Sequence, residues 1–293
     1  MDLLTLRYFQ TVARLQHVSR AAEQLHVAQP ALSRVIRRLE DDLGAPLFDR
    51  TGRAVRLNRF GAAYLRRVDR ALAELDGGRA ELADAVGLDR GTVTVAAETL
   101  RLLTPLVAAF LRDHPGVDLR LVESDPRGMT DRLRAGQLDF AFASQPLADP
   151  SLRARELIRE EVLLVVPAGH RLAAEARVPV AELAGERLIT SRPGHWLRTL
   201  VERLFADAGI RPEVSCECNE PTVMLDLIGA GLGVGFGPSS ARFADPRATV
   251  VPTSLDVADC HRTLSLVWCD GAYLSAAARL FRDRAIGHFR LPQ

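Results

Sequence analysis

The chain has 293 residues, 47% hydrophobic and 26% charged, with a formal net charge of +1. That length suits about two domains with a sizeable core and a well-solvated surface. No apolar run approaches the roughly 18 residues needed to cross a bilayer, and MDLLTLRYFQTVARLQ, with its early acid and amphipathic period, is no signal peptide. A cytoplasmic location with four free thiols is therefore expected. Charge is unevenly spread: residues 1–60 carry ten Arg against six Asp or Glu. A basic head on a near-neutral body fits a nucleic-acid reader with a separate sensing body. All 38 basic residues are Arg, a compositional bias without mechanistic meaning.

Residues 1–58 hold short helical patterns. Leu3, Leu6, Phe9, Val12 and Ala13 repeat at helical spacing. Ser19 is expected to cap a second helix, Arg20 to Leu25, and the turn His26–Ala28 leads into VAQPALSRVIRRLEDDLG, residues Val27 to Gly44. Two helices joined by so short a turn make a helix-turn-helix, whose second member can enter a major groove. At about 100° per residue, Leu32, Val35, Ile36, Leu39 and Leu43 share the core side. Gln29, Pro30, Ser33, Arg34 and Arg37 share another. Gln reads adenine, Arg reads guanine and Ser reads either, so this face suits base edges and phosphates. The plain alternative is a solvated helix face; the upstream spacing favours DNA. Around Thr51-Gly52, the alternation of Arg53, Val55 and Leu57 predicts a small hairpin, or wing. Arg50, Arg53 and Arg56 would carry positive charge to the backbone or minor groove.

SRAAEQLHVAQPALSRVIRRLEDDLGAPLFDRTGRAVRLNRFG closely resembles the winged helix-turn-helix of LysR-type transcriptional regulators. The matching features are Ala21-Ala22, Gln29-Pro30, Ser33, the run Ile36 to Glu40, Leu43-Gly44 and Leu47 to Arg50. The resemblance implies a homodimer or homotetramer on double-stranded promoter DNA, with Gln29, Pro30, Ser33 and Arg34 on bases and Arg53 in the minor groove. It assigns Arg37, Arg38 and Arg50 to phosphates or local ion pairs. Two positions depart from the family. Ala28 stands where the family has Ser at the recognition-helix cap, a loss of about 1 kcal/mol. Asn58 replaces Thr before the next helix, and Asn caps well.

Residues 59–88 read as one long helix. Leu65, Val68, Leu72, Leu75, Leu82 and Val86, with Arg79 in the missing place, trace a coiled-coil seam that the resemblance identifies as a linker pairing two subunits. Packing on the chain's own body is the alternative. Gly77-Gly78 interrupts the pattern at a cost of roughly 2 kcal/mol relative to Ala, so either a bend or close packing is expected there.

From Gly91 onward, short strands alternate with helices, the pattern of an α/β domain with a largely parallel sheet. Strands are expected at 91–97, 117–122 and 138–143, and helices at 99–112 and 129–135. The resemblance makes residues 91–293 an effector-binding domain similar to periplasmic binding proteins, with lobe I at 91–162 and 268–293 and lobe II at 167–264. The whole is then an α+β multidomain chain. Ligands of open α/β sheets bind beyond the carboxyl ends of strands, where helix N-termini donate N–H groups. That rule selects Glu98 and Thr99, Ser124, Ser191 and Arg192 opening the first helix of lobe II, and Glu220 and Thr222; Ser144, at the end of GQLDFAFAS, an element that fits the resembled family, is a further candidate. Gly237 edges the same cleft. Helix capping is the plain alternative for each.

The Gly229 to Gly237 run follows a helix and enters a strand, the wrong order for a dinucleotide loop, and reads as tight packing. Cys216 and Cys218 share a strand face but lack zinc spacing, and lie outside the peroxide-sensing pattern of the resembled family. No catalytic set, metal site or cofactor motif stands out. The expectation is a regulator responsive to a small-molecule effector, not an enzyme. A small-molecule-binding protein or enzyme whose first sixty residues mediate assembly is the competing reading, and the Arg-and-Gln helix face discriminates the two.

Overall fold

The computed structural model describes residues 2–51, 54–85, 91–241 and 249–289. Its head is three helices and a hairpin. Helix α1 spans Leu3–Leu15, α2 Val18–Gln24 and α3 Gln29–Leu43; strands β1 (Phe48–Thr51) and β2 (Ala54–Leu57) pair antiparallel, with Phe48 opposite Leu57. The helices bury Phe9, Val12, Ala13, Ala21, Ala22, Leu32, Ile36 and Leu39, and Phe9 meets Phe48 edge-on at 5.7 Å. Leu3 and Leu43, expected inside, are exposed.

Helix α2 begins two residues before the predicted start. His17, not Ser19, is its cap, through Nδ1 accepting from the Arg20 N–H. Helix α3 starts at Gln29 with Pro30 in its first turn, where a missing N–H is harmless. Ala28 has cap dihedrals (φ −67°, ψ 131°) but no side chain to cap with. Glu40 of α3 accepts the N–H of Leu47 at 2.8 Å and of Phe48 at 3.2 Å, tying the helix to the hairpin.

Helix α4, Arg59–Ala85, follows. Asn58 accepts from Phe60 and Gly61 at 2.9 Å each, and donates to the Pro46 carbonyl at 2.9 Å. A side chain at Gly61 would collide with the Leu47 carbonyl, so glycine alone allows this approach. The predicted seam divides. Val68 and Leu72 are buried in the head's own core, whereas Leu75 and Leu82 are 47% and 69% exposed; Val86 lies outside the described residues. The helix runs unbroken through Gly77-Gly78. Gly77 packs toward Tyr273, where an added Cβ would lie 3.4 Å from the tyrosine Cβ; Gly78 faces open space.

In the body, β3 (Thr92–Ala97) lies parallel to β4 (Asp118–Glu123) and β5 (Phe140–Ala143). Helix α5 (Thr104–Asp113) follows a 3-10 turn at Leu100–Leu103, so the helix predicted from Thr99 is broken, with Pro105 in the first turn of its α portion. Helix α6 is Pro126–Arg134. Strand β6 (Leu152–Pro167) is sixteen residues long and crosses into lobe II. That lobe holds β7 (Arg177–Val178), β8 (Arg187–Thr190), α7 (Trp196–Asp207), β9 (Glu213–Glu217), α8 (Pro221–Gly229), β10 (Gly235–Pro238) and β11 (Val250–Leu255). Strand β12 (His261–Cys269) returns, and α9 (Ala276–His288) closes lobe I.

The main sheet is mixed rather than largely parallel: β6 and β12 run antiparallel through its middle, and β10 and β11 pair antiparallel with β6. On β6, Leu157 and Ile158 pack on the lobe I core and Val162, Leu164, Val165 and Val166 on the lobe II core. On the return, Cys260 still packs in lobe II. Leu264, assigned to lobe II from the sequence, belongs to the lobe I core with Phe110, Phe140, Phe142 and Phe281.

Because Ala28 already has cap geometry, Ala28→Ser is expected to stabilise the head by about 1 kcal/mol, read as a higher urea midpoint for loss of its helical signal. An unchanged midpoint would show that α3 gains nothing from a side-chain cap.

Candidate functional site

Two surfaces carry the sequence-predicted residues. On α3, Gln29, Pro30, Arg34, Arg37 and Arg38 are exposed and Ser33 is half-buried; Gln29 Nε2 donates to Ser33 Oγ at 3.0 Å. Arg34, Arg37 and Arg38 make no ion pair among the described residues. Their positive charge is therefore uncommitted on one face. Arg50 takes its place in β1 opposite Val55, and Arg53 lies outside the described residues.

The second surface is a cavity of about 280 Å³ between the lobes. It lies beyond the carboxyl ends of β3, β5 and β8, as the open-sheet rule requires. Glu98, Thr99, Ser144, Ser191 and Gly237 line it, with Leu102, Phe142, Met224, Ile228 and Phe236 supplying apolar wall. Four predicted residues do not. Ser124 Oγ turns to the Asp125 carbonyl at 3.3 Å. Arg192 is exposed, with its N–H on Asn219 Oδ1 at 3.0 Å. Glu220 caps α8 by accepting from the Thr222 N–H, and Thr222 is exposed. Helix α7 opens at Trp196 rather than near Thr190, since Pro193 and Gly194 precede it and His195 is the cap.

The residues that sequence reasoning missed are Arg262, His195 and Trp196. Glu98 accepts from the Ser144 N–H of lobe I at 3.1 Å and the Trp196 N–H of lobe II at 3.3 Å. Burial pushes its carboxyl above the usual range, opposed by those two N–H groups and by Arg262. Arg262 donates Nε to Ser144 Oγ at 3.0 Å, reaches Glu160 at 3.5 Å and lies 5.0 Å over the Trp196 ring. Glu160 is buried and accepts the Ser240 N–H at 2.8 Å. Burial lowers the Arg262 pKa, and Glu160 and Glu98 counter that shift. His195 Nδ1 accepts from the Leu197 N–H at 3.3 Å. Burial, then Arg262, push its pKa down to about 4. Its proton thus sits on Nε2, which is buried without a hydrogen-bond partner among the described residues, a cost of about 1–3 kcal/mol.

Known proteins share both halves. Residues 3–62 match the model of the bacterial regulatory helix-turn-helix protein, lysR family, and residues 87–290 match the LysR substrate binding domain. The chain belongs to the LysR family of transcriptional regulators. This LysR-family regulator is 35% identical to YybE, an HTH-type transcriptional regulator of Bacillus subtilis (strain 168), with 99% of each chain covered. It is also 35% identical to the HTH-type transcriptional regulator ShiR of Corynebacterium glutamicum (strain R), covering 98% of this chain and 97% of that one. Among solved structures, full-length OxyR from Pseudomonas aeruginosa superposes with a TM-score of 0.75 at 26% identity, covering 99% of the regulator and 95% of OxyR. The family and these relatives are transcriptional regulators, not enzymes. No helix among the regulator's described residues is long and apolar enough to cross a membrane.

The depressed His195 pKa has a signed consequence. Below its ordinary value of 6.5 the unfolded chain takes up a proton that the folded regulator refuses, so stability falls as pH drops from 6.5 toward 4, by up to about 3 kcal/mol. His195→Asn, which keeps a capping acceptor, is expected to flatten that slope in urea unfolding between pH 7 and pH 4.5. A variant as pH-sensitive as the parent would assign the proton uptake elsewhere.

Proposed function

We propose that the regulator grips promoter DNA through the exposed face of α3 and changes that grip when a small-molecule effector occupies the interlobe cleft. The observation that carries this reading is the set of three uncommitted guanidinium groups on the second helix of a helix-turn-helix. In it, Gln29, Pro30, Ser33 and Arg34 meet bases, Arg37, Arg38 and Arg50 meet phosphates, and Arg53 reaches the minor groove. Exposed Leu75 and Leu82 on α4 face a second subunit in a homodimer or homotetramer, and the protein works in the cytoplasm.

Effector control works as a population shift: the ligand favours one lobe arrangement by its differential affinity and so changes the spacing or bend of bound DNA. Packed contacts support a route. Ser144, in the cleft, follows β5; Gly136 and Gln137, before β5, lie against Ala73 of α4 and Arg14 of α1. Asp84 of α4 accepts from Tyr273 and from the Ala276 N–H at 2.7 Å each.

The test is fluorescence anisotropy with the promoter region flanking the regulator's own gene. Arg34→Ala is expected to weaken binding about 5- to 150-fold, the loss for one good base contact, with oligomeric state unchanged. Affinity should also fall steeply with salt. Equal affinity of the variant, or salt-independent binding, would defeat the reading.

A further inference from the structure

Glu98 does for the cleft what a bound molecule would do. Its side chain leaves the end of β3 and sets one oxygen on the Ser144 N–H of lobe I, at 3.1 Å, and the other on the Trp196 N–H of lobe II, at 3.3 Å. Trp196 opens the twelve-residue α7, so its N–H is one of the first-turn donors that no helix carbonyl can satisfy. Ser144 follows β5, and its hydroxyl accepts from Arg262 Nε at 3.0 Å. Two main-chain donors, one from each lobe, stand beside Arg262, whose side chain is 11% exposed. That set of groups is a receptor for a carboxylate.

The charges of the cavity agree. Its charged lining is Glu98 against Arg101 and Arg262. Without the Glu98 carboxylate, two guanidinium groups and two N–H donors would face the space with no anion. Glu98, Ser144 and Trp196 all line the cavity of about 280 Å³, so the place that Glu98 fills is open to a small molecule from that side.

On the reading of the cleft as the effector site, we propose that Glu98 is a tethered ligand: the chain's own carboxylate occupies an interlobe carboxylate site and holds the two lobes in register. The chemical class that replaces it is a small free monocarboxylate. The parent is indifferent to such a molecule because the place is filled; shortening residue 98 makes the lobe arrangement depend on one.

Chemical rescue tests this on the full-length protein at pH 7.5, with acetate compared against equal sodium chloride and against acetamide on the same chloride background. Glu98→Ala leaves both N–H groups without their carboxylate and is expected to lower the melting temperature of the body by about 2–8 °C. Acetate should restore at least about half of that loss, with a midpoint on the order of millimolar. Acetamide, which lacks the charge, should need at least about tenfold more. The parent should shift by less than about 1 °C. Glu98→Gln keeps the shape but offers one acceptor oxygen to two donors. It should lose stability and gain nothing from acetate, since the space is still filled; a merely structural role gives no such contrast between Ala and Gln. Equal rescue by acetamide, or an acetate shift no larger in Glu98→Ala than in the parent, overturns the tethered ligand. Folding of Glu98→Ala only in acetate supports it; if that variant folds in neither buffer, Glu98→Ser, equally unable to span the lobes, takes the same measurement. Fluorescence anisotropy on the promoter fragment separates the two readings. Glu98→Ala should change promoter affinity about fivefold or more, and acetate should reverse the change. Acetate that restores the melting temperature but leaves DNA binding untouched keeps the tethered ligand and removes the effector reading of the cleft.

Discussion

The carboxylate of Glu98 is the constraint around which the body is arranged. It lies at the end of a lobe I strand, yet one oxygen accepts an N–H from Ser144 in its own lobe and the other an N–H from Trp196 in the opposite lobe. A buried carboxylate is expensive unless its lone pairs are satisfied. Here the satisfaction of one charge requires both lobes to be in register, so separating them would leave Glu98 short of a donor unless water enters. Gln145, donating across the cleft to the Gly194 carbonyl at 3.1 Å, adds a second crossing of the same kind.

Behind Glu98, the ion pair of Arg262 and Glu160 sits where it has most leverage. The two residues are direct cross-strand partners on β12 and β6, the strands that carry the chain between lobes. The apolar packing on those strands changes from one core to the other between Ile158 and Val162 and between Cys260 and Leu264. The pair therefore sits where the two strands pass from one core to the other. A planar guanidinium suits the place: one edge reaches Ser144, another Glu160, and the face lies on Trp196. A lysine ammonium could not reproduce that combination. One side chain thus joins the strand crossing to the wall of the cleft.

How much of this was legible in the sequence follows from the range of the interactions. The helical stripe Leu32, Ile36, Leu39 and the opposite face of Gln29, Arg34 and Arg37 are local periodicities, and they read directly. So did the capping role of Asn58, since Asn at that position needs only the next turn. His17 as the α2 cap was hidden because an imidazole caps rarely, and Ser19 offered the more familiar signal. Strand direction leaves no mark on composition, which is why the mixed sheet was read as largely parallel. Arg262 and Ser144 are separated by 118 positions, and nothing near either one announces the other. His195 was missed for a different reason: the helix it opens starts after Pro193-Gly194, later than the Ser191 signal implied. Conversely, Ser124, Glu220 and Thr222 met the loop rule but serve turns and caps, the ordinary work of such residues at helix starts.

The same geometry joins the cavity to the head by continuous packing. Strand β5 is only four residues long and every one is buried, so its two ends cannot move independently without disturbing a packed core. At one end is Ser144, bonded to Glu98 and Arg262. Four residues before its other end is Gly136, held at φ +63° where a side chain would be strained, and so close to Ala73 that an added Cβ would lie 2.5 Å from the alanine methyl. Ala73 belongs to the helix whose earlier turns, through Val68 and Leu72, complete the core of the head. Arg14 of that head bonds Asp69 on the same helix at 2.8 Å and meets Gln137 beside Gly136. A rotation of lobe I against lobe II that re-pairs Glu98 consequently meets a rigid strand, a glycine contact with no slack and a helix shared with the head. Close packing thus runs without a gap from the cleft, through lobe I and α4, to the core of the head that carries α3.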